Sequence, residues 1–343
     1  MKAVRKIARA PGEMQVADVP QPDLQPGQLL IKVGACAVCG SDLHAYNYDP
    51  GYEFIKVPVT LGHEFSGTIV EVGPGATEWQ QGQQVLVEAT HYCGSCPQCH
   101  LGRTNTCENF QVLGLHKNGG MAQYVAADVR YVHPLEPGLD LIQGAIVEPA
   151  SVALHGVVDN SNISPGDVVL VSGPGVIGIL AAQAARIMGA GMVVISGTSA
   201  DEKVRLTLAR QMGFETINVA NETLIDGLFR LTGRNEADVV IECSGNALAL
   251  EDCLAIPRKG GALTIIGLYP GPSQIFITPV VRKEIIIRTS YSSKWVNYRQ
   301  AMNLIASGRL EVNPLITKYP LQKALDGFNA ALEKKIVKAV LVP

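Results

Sequence analysis

Val168-Val169-Leu170-Val171 is an unbroken apolar run, and it feeds through Ser172 into Gly173-Pro174-Gly175-Val176-Ile177-Gly178 and a helix-spaced segment from Val176 to Met188. A strand with no polar alternation has to be covered on both faces, which is the condition of a strand inside a parallel sheet. The pattern then repeats. Met192–Ser196, Thr216–Val219, Ala237–Glu242 and Ala262–Ile266 read as strands, and Asp201–Met212, Glu222–Leu231 and Ala247–Ile256 read as the helices between them. A strand near Glu284–Ile287 closes the series. Strand–helix alternation of this kind predicts an α/β fold with a doubly wound parallel sheet.

The glycine loop carries chemistry as well as topology. A G-x-G-x-x-G alone is a weak signal, but here it follows a strand and opens a helix, which is the context a dinucleotide needs. The first two glycines allow a tight turn and a close approach to a pyrophosphate, and the third lets the helix pack on the sheet. The free N–H groups at the helix start then face the phosphates. A phosphate loop of the GxxxxGK[ST] type is excluded, because no Lys-Ser/Thr pair follows. The next strand ends in Ser196-Gly197-Thr198-Ser199, without the Asp or Glu that usually binds the ribose of NAD. Gly197, Thr198 and Ser199 leave room for a 2′-phosphate, and Lys203 and Arg205 supply positive charge. The expectation is therefore NADP over NAD, with the alternative that Asp201 or Glu202 reaches back to the ribose. Gly267, Leu268, Ser290 and Tyr291 complete the candidate cofactor contacts.

At 343 residues the chain is too long for one ordinary core, so two domains are expected. Residues 1–150 are β-rich, with short apolar runs such as Leu29–Val33, Ser66–Val72 and Gln84–Val87 divided by Pro and Gly turn signals, as in a small irregular barrel. The boundaries expected are 1–150 plus 290–343 for this domain and 151–289 for the nucleotide domain, with the tail returning to the first. A net charge of -3 argues against nucleic acid. No apolar run approaches a membrane span, and Met1–Lys6 has no apolar segment after it, so no signal peptide is expected. These features suggest the cytoplasm.

Four of the eight cysteines form Cys93-x2-Cys96-x2-Cys99-x7-Cys107. In a reducing compartment such clustering means metal rather than bridges. Four thiolates close a tetrahedron around zinc and leave no open position, so this site reads as structural; iron–sulfur ligation is the other possibility. His91 and His100 read as surface residues beside it. Cys36, Cys243 and Cys253 read as small buried hydrophobes. A second ligand set is Cys39, in Cys39-Gly40-Ser41-Asp42-Leu43-His44, with His63 and Glu64, in Gly62-His63-Glu64. A thiol, an imidazole and a carboxylate suit zinc and leave a fourth place open, as a catalytic site requires. Ser41 and His44 are parts for moving protons. Asp42 reads either as a turn residue or as the carboxylate that orients the ligand histidine.

These motifs, with Glu148-Pro149, occur in the order found in the zinc-dependent medium-chain alcohol dehydrogenases, and over nearly the whole chain the sequence resembles that family, most of all its polyol branch of sorbitol, xylitol and threonine dehydrogenases. The resemblance implies a GroES-like catalytic domain and a Rossmann domain, two zinc ions per chain, NAD or NADP, an alcohol or polyol substrate, and a tetramer. It assigns Cys39, His63 and Glu64 to the catalytic zinc, with Glu148 close enough to exchange with Glu64 or water. It assigns Asp42 to the support of the ligand histidine, and Ser41 and His44 to a proton relay. His155 also matches a family position and reads as packing. One departure stands out: where polyol members carry an arginine, this chain has Ser292, in Tyr291-Ser292-Ser293, which puts sorbitol itself in doubt. Tyr46, Tyr48, Phe54 and Trp295 are candidate walls of the substrate pocket.

Overall fold

The computed structural model describes residues 1–343, and the chain divides into two compact units. The first comprises Met1–Pro149, Lys294–Gly308 and Leu315–Pro343; the second comprises Ala150–Ser293 and Arg309–Pro314.

The first unit is built on strands β1 (Lys2–Lys6), β2 (Met14–Asp18), β3 (Gln28–Ala37), β4 (Val59–Thr60), β5 (Glu64–Val72), β6 (Gln84–Val87), β7 (Thr90–His91), β8 (Gln111–Val112), β9 (Tyr124–Asp128) and β10 (Val132–Pro134). The tail adds two more after the second unit's strands. One sheet runs β2-β1-β4, β7 pairs with β8, and a larger sheet is centred on β3, which pairs with both β5 and β9. β3 is the longest strand, and seven of its residues, from Leu29 to Ala37, are almost wholly buried apolar side chains. The core around it includes Ile31, Leu61, Phe65, Met121 and Phe328. A helix over Gly40–Asn47 leaves β3 directly. Its composition is mostly polar and gives no amphipathic stripe, so nothing in the sequence pattern announced it.

The second unit carries β11 (Val168–Ser172), β12 (Met192–Gly197), β13 (Glu215–Asn218), β14 (Ala237–Glu242), β15 (Pro257–Ile265) and β16 (Ile286–Thr289) in one all-parallel sheet of order β13-β12-β11-β14-β15-β16. That is the doubly wound Rossmann order, with the reversal between β11 and β14. Burial follows position: every residue of central β11 and β14 is buried, and every residue of edge strand β16 is exposed. In register, Ser172 lies beside both Ser196 and Glu242, and Glu242 beside Ile265. The strand ends are thus level, and ligands bind beyond such a row.

The tail contributes β17 (Ile316–Pro320) and β18 (Lys338–Val342), a parallel pair that joins the large sheet through β18 and β3. β17 escaped the sequence reading, since its exposed Lys318 and terminal Pro320 dilute the strand pattern. Two short segments also depart from the expected boundaries. Residues 290–293 cluster with the second unit, where Ser293 Oγ lies 2.7 Å from Ser151 Oγ. Residues 309–314 do likewise, because the Gln183 side chain brackets Glu311, donating to its carbonyl (3.0 Å) and accepting from its N–H (2.7 Å).

Candidate active site

The helix Gly40–Asn47 begins with Cys39 as its N-cap. Asp42, three residues on, turns back so that its Oδ2 accepts the Cys39 N–H (2.9 Å), while its Oδ1 accepts the Gly62 N–H (3.3 Å). One buried carboxylate therefore ties the thiol segment to the His63–Glu64 segment. Gly62 has φ +93°, and a Cβ there would stand 2.6 Å from Cys36 Sγ and from Met121, so only glycine fits beside His63. The ligand atoms of Cys39, His63 and Glu64 lie within 4.8 Å of one another.

The electrostatics of this cluster call for a cation. Asp42, Glu64 and Glu148 are all nearly inaccessible to water. Burial, then Glu64, raises Glu148 to a pKa of about 7; burial also raises Asp42 and, with Glu64, lifts the Cys39 thiol well above its ordinary value. The permanent positive charge at hand is Lys338 of β18, 2% exposed, whose Nζ donates to Glu64 Oε1 (2.8 Å) and lies 2.6 Å from Oε2. Burial alone would lower the Lys338 pKa, but Glu64 and Cys39 outweigh it and hold it above its ordinary value. One ammonium does not balance three carboxyls and a thiol; His63 Nδ1 faces Asp42 Oδ1 at 3.9 Å, beyond hydrogen-bond reach. A divalent ion at Cys39, His63 and Glu64 meets that deficit, and the mixed donor set is one that zinc accepts. Lys338 was missed in the sequence; a lone charge within the apolar run Ile336–Val342 was its signal.

Ser41 Oγ lies 3.3 Å from His63 Nε2. His44 Nδ1 lies 2.6 Å from Asp49 Oδ2, with both side chains about a third exposed, and the imidazole stacks on Tyr52 at 5.2 Å. Of the proposed pocket walls, Tyr46 packs edge-on against core Phe328 and Tyr48 ends the helix at φ +54°. Phe54 is 45% exposed and stacks on His116 at 4.9 Å, a residue the sequence did not single out. Trp295 stacks on His133.

In the four-cysteine lobe, Cys107 Sγ lies 3.5 Å from Cys93 Sγ and 3.9 Å from Cys96 Sγ. A zinc tetrahedron with ordinary Zn–S bonds has edges of about 3.8 Å, so the spacing fits. Backbone N–H groups of Ser95 and Cys96, with the Ser95 hydroxyl, point at Cys93 Sγ and bring that thiol down to about 5. His91 is not a surface residue: it is 7% exposed, stacks on Tyr131 at 3.9 Å, and burial followed by the Lys117 charge lowers its pKa to about 4.

In the second unit the loop glycines have distinct jobs. Gly173 has φ +99°, and a Cβ there would press on Ser244; a Cβ at Gly178 would stand 1.8 Å from the Gly173 carbonyl oxygen. Gly175, the N-cap of the helix Val176–Ile187, has open space over it, so a phosphate can reach the backbone. Pro174 is buried, while Val176 and Ile177 are half-buried in the first turn. Past β12, Gly197 touches this loop, since a Cβ on it would meet Pro174 Cγ at 2.7 Å. Thr198 N–H and Oγ1 both donate to Asp201 Oδ2 (3.1 and 2.8 Å), and Arg205 Nη1 lies 3.5 Å from Asp201 Oδ1. Glu202 is held by Arg210 and Asn218. Both carboxylates that could have reached the ribose are thus engaged, Arg205 faces Asp201, and Ser199 and Lys203 remain exposed. Past β14, Glu242 is fully buried and gathers the Ser244 hydroxyl, the N–H groups of Ser244 (2.6 Å) and Gly245 (3.1 Å), and the Tyr269 hydroxyl. Gly267 lies against that carboxylate, where a Cβ would meet Oε2 at 2.4 Å. Leu268 and Tyr291 are exposed; Ser290 Oγ is buried and accepts from Asn160 Nδ2 (3.4 Å). His155, buried on a π-helical turn, holds Asp159 through Nδ1 (2.8 Å).

Two family models match the chain: the alcohol dehydrogenase GroES-like domain over residues 25–137 and the zinc-binding dehydrogenase domain over residues 176–307. The sorbitol dehydrogenase of Halalkalibacterium halodurans is 36% identical over 347 residues, covering 100% of this chain and 99% of the relative. The chain belongs to the zinc-dependent medium-chain alcohol dehydrogenases. Within that family the L-threonine 3-dehydrogenase of Streptomyces avermitilis is 35% identical over 322 residues, 92% of each chain. The structure of a zinc-binding dehydrogenase from Sinorhizobium meliloti 1021, bound to NADP, superposes with a TM-score of 0.90 at 34% identity, covering 100% of this chain and 99% of the other. This medium-chain dehydrogenase of the polyol branch is accordingly a zinc-dependent, NAD(P)-linked oxidoreductase acting on CH–OH groups.

Proposed function

We propose that the protein oxidises a polyol or other secondary alcohol, or reduces the matching ketone, with NADP preferred over NAD and with two zinc ions per chain. The observation that carries this is the buried Cys39, His63 and Glu64 cluster with its excess of acidic groups. The catalytic zinc belongs to those three residues, with Glu148 as an exchangeable fourth neighbour; the structural zinc belongs to Cys93, Cys96, Cys99 and Cys107. Bound there, the catalytic zinc supplies a positive charge that makes a substrate hydroxyl acidic near neutral pH. Oxidation of an alcohol by NAD(P)+ yields a carbonyl, NAD(P)H and one proton, and this chain's residues handle the proton. Ser41 Oγ takes it, held beside His63. Ser41 and His44 are three residues apart on one helix, so they share a face. Asp49 accepts the His44 Nδ1–H and leaves Nε2 as the acceptor that releases the proton to water. Asp42 fixes the backbone around both ligand segments. Loop residues Gly173–Gly178 hold the pyrophosphate, with Gly267, Leu268, Ser290 and Tyr291 along the same row of strand ends.

The NADP preference is supported by the engaged Asp201 and Glu202, by the exposed Lys203 cation, and by the NADP carried by the Sinorhizobium meliloti relative. The relatives handle sorbitol, threonine and arabitol phosphate. Here Ser292 stands at φ +54° in place of the polyol arginine, which turns the proposal toward less hydroxylated substrates than sorbitol. A homotetramer is proposed as well, supported by the apolar, exposed edge of β16, with a second copy as its partner. A cytoplasmic location is supported by the metal-type spacing of the cysteines; no helix is long and apolar enough to cross a membrane. The test is an absorbance screen over polyols, secondary alcohols and threonine with each cofactor. The expected outcome is a secondary-alcohol substrate with a higher kcat/KM for NADP, reduced about tenfold by Lys203→Glu. A higher kcat/KM for NAD in the unaltered protein would overturn the cofactor preference. Gly197→Asp is a poor probe, since its Cβ would push on Pro174.

A further inference from the structure

Beside the four-cysteine lobe the first unit holds a cavity of about 890 Å³, within the range of small-molecule sites. It shares no residue with the Cys39–His63–Glu64 cluster or the cofactor loop. Its charged wall consists of Arg5 from β1, Lys117 from the loop after β8, Arg130 from the segment after β9, and the carboxylates of Asp23 and Asp128. None of the three cations has an acid within 4.0 Å, in a chain where most arginines of the second unit are paired. Asp128 Oδ1 is taken by the Arg130 backbone N–H (2.9 Å), and Asp23 is exposed.

Two buried groups sharpen the picture. Arg5 is half-buried, and its Nε is sealed from water without a hydrogen-bond partner. The residue nevertheless lines the cavity, and the guanidinium fork matches the paired oxygens of a phosphate or carboxylate. His91, in the same wall, is more than nine-tenths buried, is clamped flat on Tyr131, and has Nε2 without a partner. Three cations against two carboxylates leave this wall with a single excess positive charge in a net-negative protein, which favours small anions.

We propose that this cavity is a binding site for a small-molecule oxyanion, a phosphate- or carboxylate-bearing metabolite, gripped by Arg5 and drawn in by Lys117 and Arg130. The site borders the catalytic segment: Thr60 and Asn118 both line it, and the Thr60 N–H donates to Asn118 Oδ1 (3.0 Å) three residues before His63.

The test is calorimetric titration of the full-length, zinc-loaded protein, saturated with NADP so that the glycine loop contributes no signal. Inorganic phosphate is one probe and succinate the other. The expected result is saturable binding of at least one probe, weakened tenfold or more by Arg5→Gln and by the exposed pair Lys117→Gln with Arg130→Gln, and unchanged by Lys318→Gln on β17. Phosphate alone identifies a phosphoryl ligand, succinate alone a carboxylate, and both a general oxyanion site. The exposed pair keeps the test valid should Arg5→Gln fail to fold. The proposal is overturned if neither probe binds saturably, if the cavity variants bind as tightly as the parent, or if they change only the mass of the assembly, which would mean that a second copy fills the cavity.

Discussion

Glu64 and Lys338 are 274 positions apart, and their contact decides how the catalytic cluster is charged. The residues proposed as ligands come together in space, and their motifs were legible because each is local: Cys39 to His44 and Gly62 to Glu64 are short words in the sequence. Lys338 was not, since only the pairing of β18 with β3 carries it to Glu64. Breaking a buried ion pair strands the remaining charge, at about 3 kcal/mol. Lys338→Met should therefore lower the stability of the chelated protein by roughly that amount, and lower that of the zinc-loaded protein much less, because the metal then neutralises Glu64. Urea midpoints with and without zinc measure the difference. Equal losses in the two states would mean that Lys338 does not share the neutralising role with the metal.

At the scale of elements, strands buried on both faces were the most readable, as in Val168–Val171 and Ala237–Glu242, because their apolar runs admit little else. The helix Gly40–Asn47 and the strand Ile316–Pro320 were unreadable because packing and a cap, rather than pattern, define them. Asp238, at the start of β14, shows what holds an element end in place. Burial would raise its pKa, but the Arg234 fork (2.9 and 3.1 Å), the Val168 N–H (2.9 Å) and Arg258 Nε (2.6 Å) outweigh burial and hold it well below the usual range. A depressed carboxylate pKa adds stability that is fully present above the unfolded value of about 3.9 and fades as pH falls through the folded value. Asp238→Asn should cost about 2 kcal/mol at pH 7 and less near pH 3, as chemical denaturation at the two pH values would reveal; a loss that does not shrink in acid contradicts the assignment. At the sheet's other border, Ile286 and Ile287 of β16 are 43% and 39% exposed. Replacing both with lysine should lower the mass of the assembly in light scattering, since charged edges refuse strand pairing. An unchanged mass would place the contact between copies elsewhere.

For the whole molecule, the division of labour was visible in the switch from turn-punctuated strands to strand–helix alternation near Glu148. The exact segmentation was not, because Gln183, through two hydrogen bonds to Glu311, and Ser151, through its hydroxyl contact with Ser293, recruit short pieces of chain far away in sequence. Substrate identity was equally illegible, since the pocket-wall residues are scattered, and Tyr46 and Tyr48 pack against the first unit's core. Turnover should depend on a metal held by Cys39, His63 and Glu64, and stepwise metal removal separates that site from the four-cysteine lobe. The protein is assayed for alcohol-dependent NADP reduction, stripped of its accessible metal by a chelator while the four-cysteine site is retained, and assayed again before and after zinc is returned, with metal content counted at each stage. The expected result is two zinc ions per chain at the start, one after stripping with turnover at background and the fold intact, and recovery of both metal and turnover on adding zinc. Substantial turnover with the Cys39–His63–Glu64 site stripped would contradict it.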